Sequence, residues 1–149
     1  MSNAMTDERF ALLEMLYRWC YVIDKGLWDE YEGLFTPDAS LDFSSVGSEG
    51  NDPKSHREFL EHKAWPATKA QHHQTTNTVF LELSEDAART RSTCVASIVM
   101  SDDTFFSVGI YYHDTFVRTA DGWLFSERRC EKVFFNPAGD VAGLAQGTE

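Results

Sequence analysis

The chain has 149 residues, the size of one domain, and a formal net charge of −11 at pH 7. That sign argues against nucleic acid, whose phosphates it would repel, and against docking on an anionic membrane. No apolar run is long enough to span a bilayer, and the N-terminus has no basic stretch leading into an apolar one. The cysteines, Cys20, Cys94 and Cys130, lack the close spacing of a zinc or redox motif. They read as free thiols in a reducing, cytoplasmic setting.

Met1-Ser2-Asn3-Ala4 ahead of Met5 reads as a remnant of recombinant expression, residues 5–135 as one domain, and residues 136–149 as a frayed tail. Thr6 to Lys25 predicts a helix, with Thr6 as its cap and Asp7 and Glu8 at the positive end of the dipole. Phe10, Leu13, Leu16, Tyr17, Cys20 and Ile23 mark a buried stripe, and Asp24 closes it beside Tyr17 and Tyr21. Gly26 stops the helix. Residues 28–35 form a shorter helix facing inward through Trp28, Tyr31, Leu34 and Phe35, ended by Thr36-Pro37-Asp38. Ala39 to Phe43 is a short strand, and Ser44 to Pro53 is a loop. Ser55-His56-Arg57-Glu58 fits a capping box opening a third helix that runs to Trp65.

From Gln71 the periodicity changes. Strands are expected over 71–83, 88–100, 104–119 and 123–135, with short turns between them and a stop at Asn136-Pro137. Short connections imply an antiparallel meander. Helices followed by a meander give an α+β class, a curved antiparallel sheet wrapped as a cone around the N-terminal helices, with a pocket at its mouth.

The chemistry centres on His73. Strand alternation puts His73, Thr75 and Asn77 on one face and turns His72 away. Asp24 is the carboxylate placed to reach His73. Such a pair either orients a general base or satisfies a buried histidine without chemistry. Arg128 lies on the last strand with Ser126 and Cys130, either as a fixed positive charge in a pocket or as half of an ion pair; Arg129 faces the other way. Tyr17, Tyr21 and Tyr112 offer hydroxyls to a ligand or belong to the core. His56, His62 and His113 lack partners at metal-ligand spacing, so neither metal nor cofactor is expected. Phe105, Phe106, Tyr111, Phe116, Phe134 and Phe135 exceed what one small core needs. They line a pocket or cover the outer sheet face by self-association.

Several stretches carry a resemblance when taken in order: Tyr21-Val22-Ile23-Asp24-Lys25-Gly26-Leu27-Trp28, Leu34-Phe35-Thr36-Pro37-Asp38-Ala39, His73-Gln74-Thr75-Thr76-Asn77, Tyr112-His113-Asp114 and Asp121-Gly122-Trp123-Leu124-Phe125-Ser126-Glu127-Arg128-Arg129. The chain resembles the SnoaL-like branch of the nuclear transport factor 2 superfamily, in its dehydratase-like section. The resemblance implies a cofactor-independent lyase or isomerase in which Asp24 orients His73 for proton abstraction and Arg128 lies in the pocket. Trp19 stands where a dehydrochlorinase relative has a pocket lysine, and Val95–Val99 lacks the second histidine of scytalone dehydratase. Trp19, Tyr17, Tyr21, Asn77 and Tyr112 would contact a small apolar or cyclic metabolite, in a homodimer or homotrimer. The same fold also serves non-catalytic binding proteins and assembly partners such as the β-subunit of ring-hydroxylating dioxygenases.

Overall fold

The computed structural model describes residues 3–140, with side chains over 5–137. Helix α1 (Asn3–Lys25) starts ahead of the expected cap, so Thr6 lies within it. Its buried face is also turned from the expected stripe. Leu16, Cys20 and Ile23 are buried as anticipated, but Leu12, Trp19 and Val22 join them, while Phe10, Tyr17 and Tyr21 are exposed. Leu12, Leu16, Trp19 and Ile23 recur at four-, three- and four-residue steps, which makes a continuous ridge of large side chains. Tyrosines tolerate the wet side because the ring packs while the hydroxyl stays in water. Gly26 closes the helix in the left-handed region at φ +65°, and a Cβ there would press on the Trp65 ring.

Helix α2 (Trp28–Tyr31) runs into a 3-10 turn, Glu32–Leu34, and buries Tyr31, Leu34 and Phe35. Strand β1 (Phe35–Asp42) follows directly. Pro37 fits there because pairing with the neighbouring strand lapses between Phe35 and Ser40. Helix α3 (Pro53–Phe59) is capped by Asp52 rather than Ser55. The Asp52 carboxylate accepts from the Lys54 and Ser55 backbone N–H groups, and Ser55 completes the capping box from the third helical position. A π-helical turn, Leu60–Ala64, and a 3-10 turn, Trp65–Ala67, lead into the sheet.

Strands β2 (Thr68–Leu83), β3 (Ala87–Met100), β4 (Thr104–Thr119) and β5 (Gly122–Asp140) form the antiparallel meander. β1 adds to β5 in parallel, giving the order β1-β5-β4-β3-β2 in a curved, unclosed sheet. β5 does not stop at Asn136-Pro137, because β4 still offers partners there and Pro137 pairs opposite Phe106. The inner face is lined by alternate residues, as in β3, where Ala88, Thr90, Ser92, Cys94 and Ala96 are buried. α1 lies along this face and is fastened at both ends. Near its start, Glu8 accepts from Trp123 Nε1 at 2.7 Å and pairs with Arg118. At its end, Gln71 Nε2 donates to the Ile23 carbonyl at 2.6 Å.

Candidate active site

The end of α1 meets the first third of β2. Asp24 is one turn beyond Cys20, and its carboxylate makes two bonds to one residue. Oδ1 lies 2.6 Å from His73 Nδ1, and Oδ2 accepts the His73 backbone N–H at 2.8 Å. A carboxylate acceptor puts the proton on Nδ1 and leaves Nε2 as the basic lone pair. No described residue bonds Nε2. The Trp19 ring stands edge-on to the imidazole with centroids 5.8 Å apart, and both side chains of the pair are about nine-tenths buried, at 11% exposure each.

His73 forms a wall between two concavities. On one side is a cavity of about 260 Å³ between the sheet, α1, α3 and the turns that follow it. Trp19, Phe43, Ile98, Phe106, Val108 and Ile110 give it apolar walls; Tyr112 also lines it, and its polar groups come from Ser48, His56, Thr68, Gln71 and His73. Among the described residues no Asp, Glu, Lys or Arg lines it. On the other side is an open cleft containing Tyr17, Tyr21, Asp24, Lys25 and His72. Gln71 and His73 line both.

The predicted contact residues separate accordingly. Trp19 and Tyr112 line the cavity, and burial holds the Tyr112 phenol well above its usual pKa. Tyr17 and Tyr21 line the outer cleft instead, Tyr21 at 65% exposure, because α1 buries its other face. Asn77 leaves the His73 face. It takes a left-handed conformation at φ +50° where the β2–β3 register slips between Thr76 and Val79, and such a bulge breaks the two-residue alternation. Thr75 stays inside, 3.2 Å from Cys20 Sγ.

Of the two places expected for Arg128, a charge in the pocket or half of an ion pair, the structure shows the second. It has 0% exposure and is absent from the cavity lining. Its guanidinium lies over the rings of Tyr112, Trp19 and Phe125 at 3.9, 4.2 and 4.7 Å from their centroids. Nε is 3.4 Å from Oδ1 of Asp114, its cross-strand partner. Burial pushes the Asp114 carboxyl up to about 6, against the pull of Arg128. None of the three guanidinium nitrogens has a full hydrogen bond among the described residues. Trp19 and Tyr112 therefore stand between this cation and the cavity.

The structure also reveals a constellation that residue spacing did not show. His56 is 1% exposed, stacked on Phe43 at 4.4 Å, with Nδ1 2.5 Å from the Tyr31 hydroxyl and Nε2 2.9 Å from Ser48 Oγ. Burial, with Arg128 adding to it, lowers its pKa to about 4, so the ring is neutral. The spacing of Pro53 and His56 on α3, continued by Leu60 in the π-helical turn, was the available signal. Among the described residues no group of three His, Cys, Asp or Glu side chains converges to hold a metal. No helix among them is long and apolar enough to cross a membrane.

A family model described as a SnoaL-like domain matches residues 4–129. The chain belongs to this family. An uncharacterized protein of Mycobacterium tuberculosis H37Rv, Rv2910c, is 28% identical over 137 residues, covering 90% of this chain and 91% of that one. Among solved structures, the SnoaL-like domain here superposes on a hexachlorocyclohexane dehydrochlorinase, LinA-type3 from Novosphingobium barchaimii, with TM-score 0.77 and 16% identity over 89% of this chain and 90% of that one. It matches Kfla4162 from Kribbella flavida with TM-score 0.79 and 22% identity over 88% and 94% of the two chains. It matches ActVI-ORFA from Streptomyces coelicolor with TM-score 0.67 and 20% identity over 83% and 96%. At these identities the likeness is one of fold, that of the nuclear transport factor 2-like proteins.

Proposed function

We propose that this SnoaL-like domain is a cofactor-independent lyase or isomerase acting on a small, uncharged, largely apolar molecule. The observation that carries this reading is the double grip of Asp24 on His73, which leaves Nε2 unbonded at the wall of a charge-free cavity. In this reading Nε2 removes a proton from a carbon next to a carbonyl or another activating group. Asp24 stabilises the imidazolium that forms. The electron pair left on carbon expels hydroxide or halide from the neighbouring carbon, or is reprotonated at a conjugated position. The fold likeness to a dehydrochlorinase supports the first outcome. Tyr112 and Trp19 serve as contact residues in the cavity, and the outer sheet face is the surface for self-association.

The test is a screen of hydroxylated and halogenated carbonyl compounds for loss of water or halide. On any compound turned over, His73→Ala should lower kcat by about a hundred- to ten-thousand-fold with much less change in ligand affinity. Near-normal turnover by His73→Ala would remove the base from this role.

A second reading, a non-catalytic small-molecule binder, is favoured by the seclusion of Arg128, which leaves no described cation on the cavity side of the base. A wild-type protein that binds ligands in the cavity but turns none over, and catalyses no exchange of their activated C–H hydrogens in heavy water, would establish it.

A further inference from the structure

Reading the cavity as the ligand site leaves open what the ligand must carry. The hydrogen-bond directions around His56 answer this, because each step leaves one choice. Tyr31 is fully buried and burial raises its pKa, so its phenol keeps its proton. Among the described residues the acceptor for that proton is His56 Nδ1. Neutral imidazole carries one N–H, so it lies on Nε2 and is donated to Ser48 Oγ. Ser48, having accepted, keeps its own O–H, and no described residue accepts it.

Ser48 lines the cavity, and its position is set by the backbone around it. Its N–H bonds to the Phe43 carbonyl at 3.2 Å. Gly47 and Gly50 take left-handed conformations at φ +78° and +91°, and a Cβ on Gly50 would collide with the His56 backbone. The loop is thereby seated on the first turn of α3. Ser48 follows β1 and His73 lies on β2, the two opposite edges of the sheet. A ligand reaching both would present its polar group at one edge and its reacting carbon at the other.

We propose that Ser48, oriented through His56 and Tyr31, donates a hydrogen bond to a neutral acceptor oxygen of the ligand, a carbonyl or an ether. The cavity thereby selects uncharged oxygen-bearing compounds over both hydrocarbons and carboxylates. This rests on the cavity being the ligand site, and not on His73 being a base. A bare hydrocarbon leaves the serine donor without a partner, and a carboxylate would be buried with no cation facing it.

The experiment titrates the full-length protein with 1-indanone, indane and indane-2-carboxylate, following the fluorescence of cavity tryptophans Trp19, Trp28 and Trp65. Wild type should prefer indanone over indane by about three- to ten-fold, the worth of one net hydrogen bond, and bind the carboxylate weakest. Ser48→Ala should bring indanone and indane to near parity, because indanone loses its donor and indane no longer strands one. His73→Ala should keep the indanone preference even where turnover is lost, so failure of the base and failure of the donor are told apart. Nitrogen-15 NMR of the histidines should show His56 as the neutral Nε2–H form at pH 7. An unchanged preference in Ser48→Ala, equal wild-type affinities, absence of binding by all three compounds, tighter binding of the carboxylate, or an Nδ1–H tautomer would each overturn the proposal.

Discussion

His56 titrates away from the ordinary imidazole range because almost no water reaches it. Its folded pKa of about 4 lies below the reference 6.5. Between those values the unfolded chain takes up a proton that the folded chain does not. Stability therefore falls as pH drops through this window and is fully restored above it. Asp114, raised to about 6 by burial, acts in the opposite direction, since the folded state binds its proton first as pH falls. The two are separable by difference. Melting temperature measured from pH 7.5 to 4.5 should fall less steeply in His56→Phe than in wild type. A constant offset with the same slope would show that His56 is protonated equally in both states.

At the scale of elements, α1 and the β4–β5 pair decide the site. A helix of six or seven turns with apolar residues on more than one face can bury either, and the spacing that pointed to Phe10 and Tyr17 picked the face the structure exposes. The sheet settles it, because its inner face carries Tyr112, Phe116 and Phe125, which pack against Leu12, Leu16 and Trp19 and leave the tyrosines to solvent. The order of elements and the meeting of Asp24 with His73 were legible, since they follow from helix-then-meander order and from the last turn of one helix. The departure of Asn77 was not, because a bulge is set by pairing with the next strand. Nor was the burial of Arg128, because the same alternation places a residue in a pocket or beneath its wall. That burial makes a prediction about the sheet. Asp114 and Arg128 face each other across β4 and β5, both at 0% side-chain exposure. Arg128→Met alone should cost about 3–5 kcal/mol in denaturant unfolding by stranding a buried carboxylate, and adding Asp114→Asn should recover part of it. A double variant no better than Arg128→Met would show that ring packing around the guanidinium, not charge pairing, carries the cost.

At the scale of the whole molecule, no described residue outside the sheet is seen to cover the exposed apolar side chains of its outer face. Val95, Tyr111 and Phe134 are exposed on adjacent strands. Gly109, paired with both Val95 and Phe134, leaves the gap that the Phe134 ring fills. An apolar patch on a sheet face favours burial against another such face. Sedimentation should find the wild-type chain as a dimer or trimer. Tyr111→Glu should shift it toward monomer without altering its circular dichroism; a monomeric wild type would dispose of the interface. The cavity opens on the inner side of the same strands, so self-association there would leave ligand entry clear.

The two-ended attachment of α1 has a consequence for what sequence change the fold tolerates. Glu8 holds one end to the β4–β5 hairpin, and Asp24 holds the other to β2. The helix between them is a ruler of roughly 24 Å. It also keeps phase: one residue more or fewer swings Asp24 about 100° around the axis, off the imidazole it grips. Tyr17 and Tyr21 on the cleft side of α1 can change without moving either end, whereas the number of residues between the two attachments cannot.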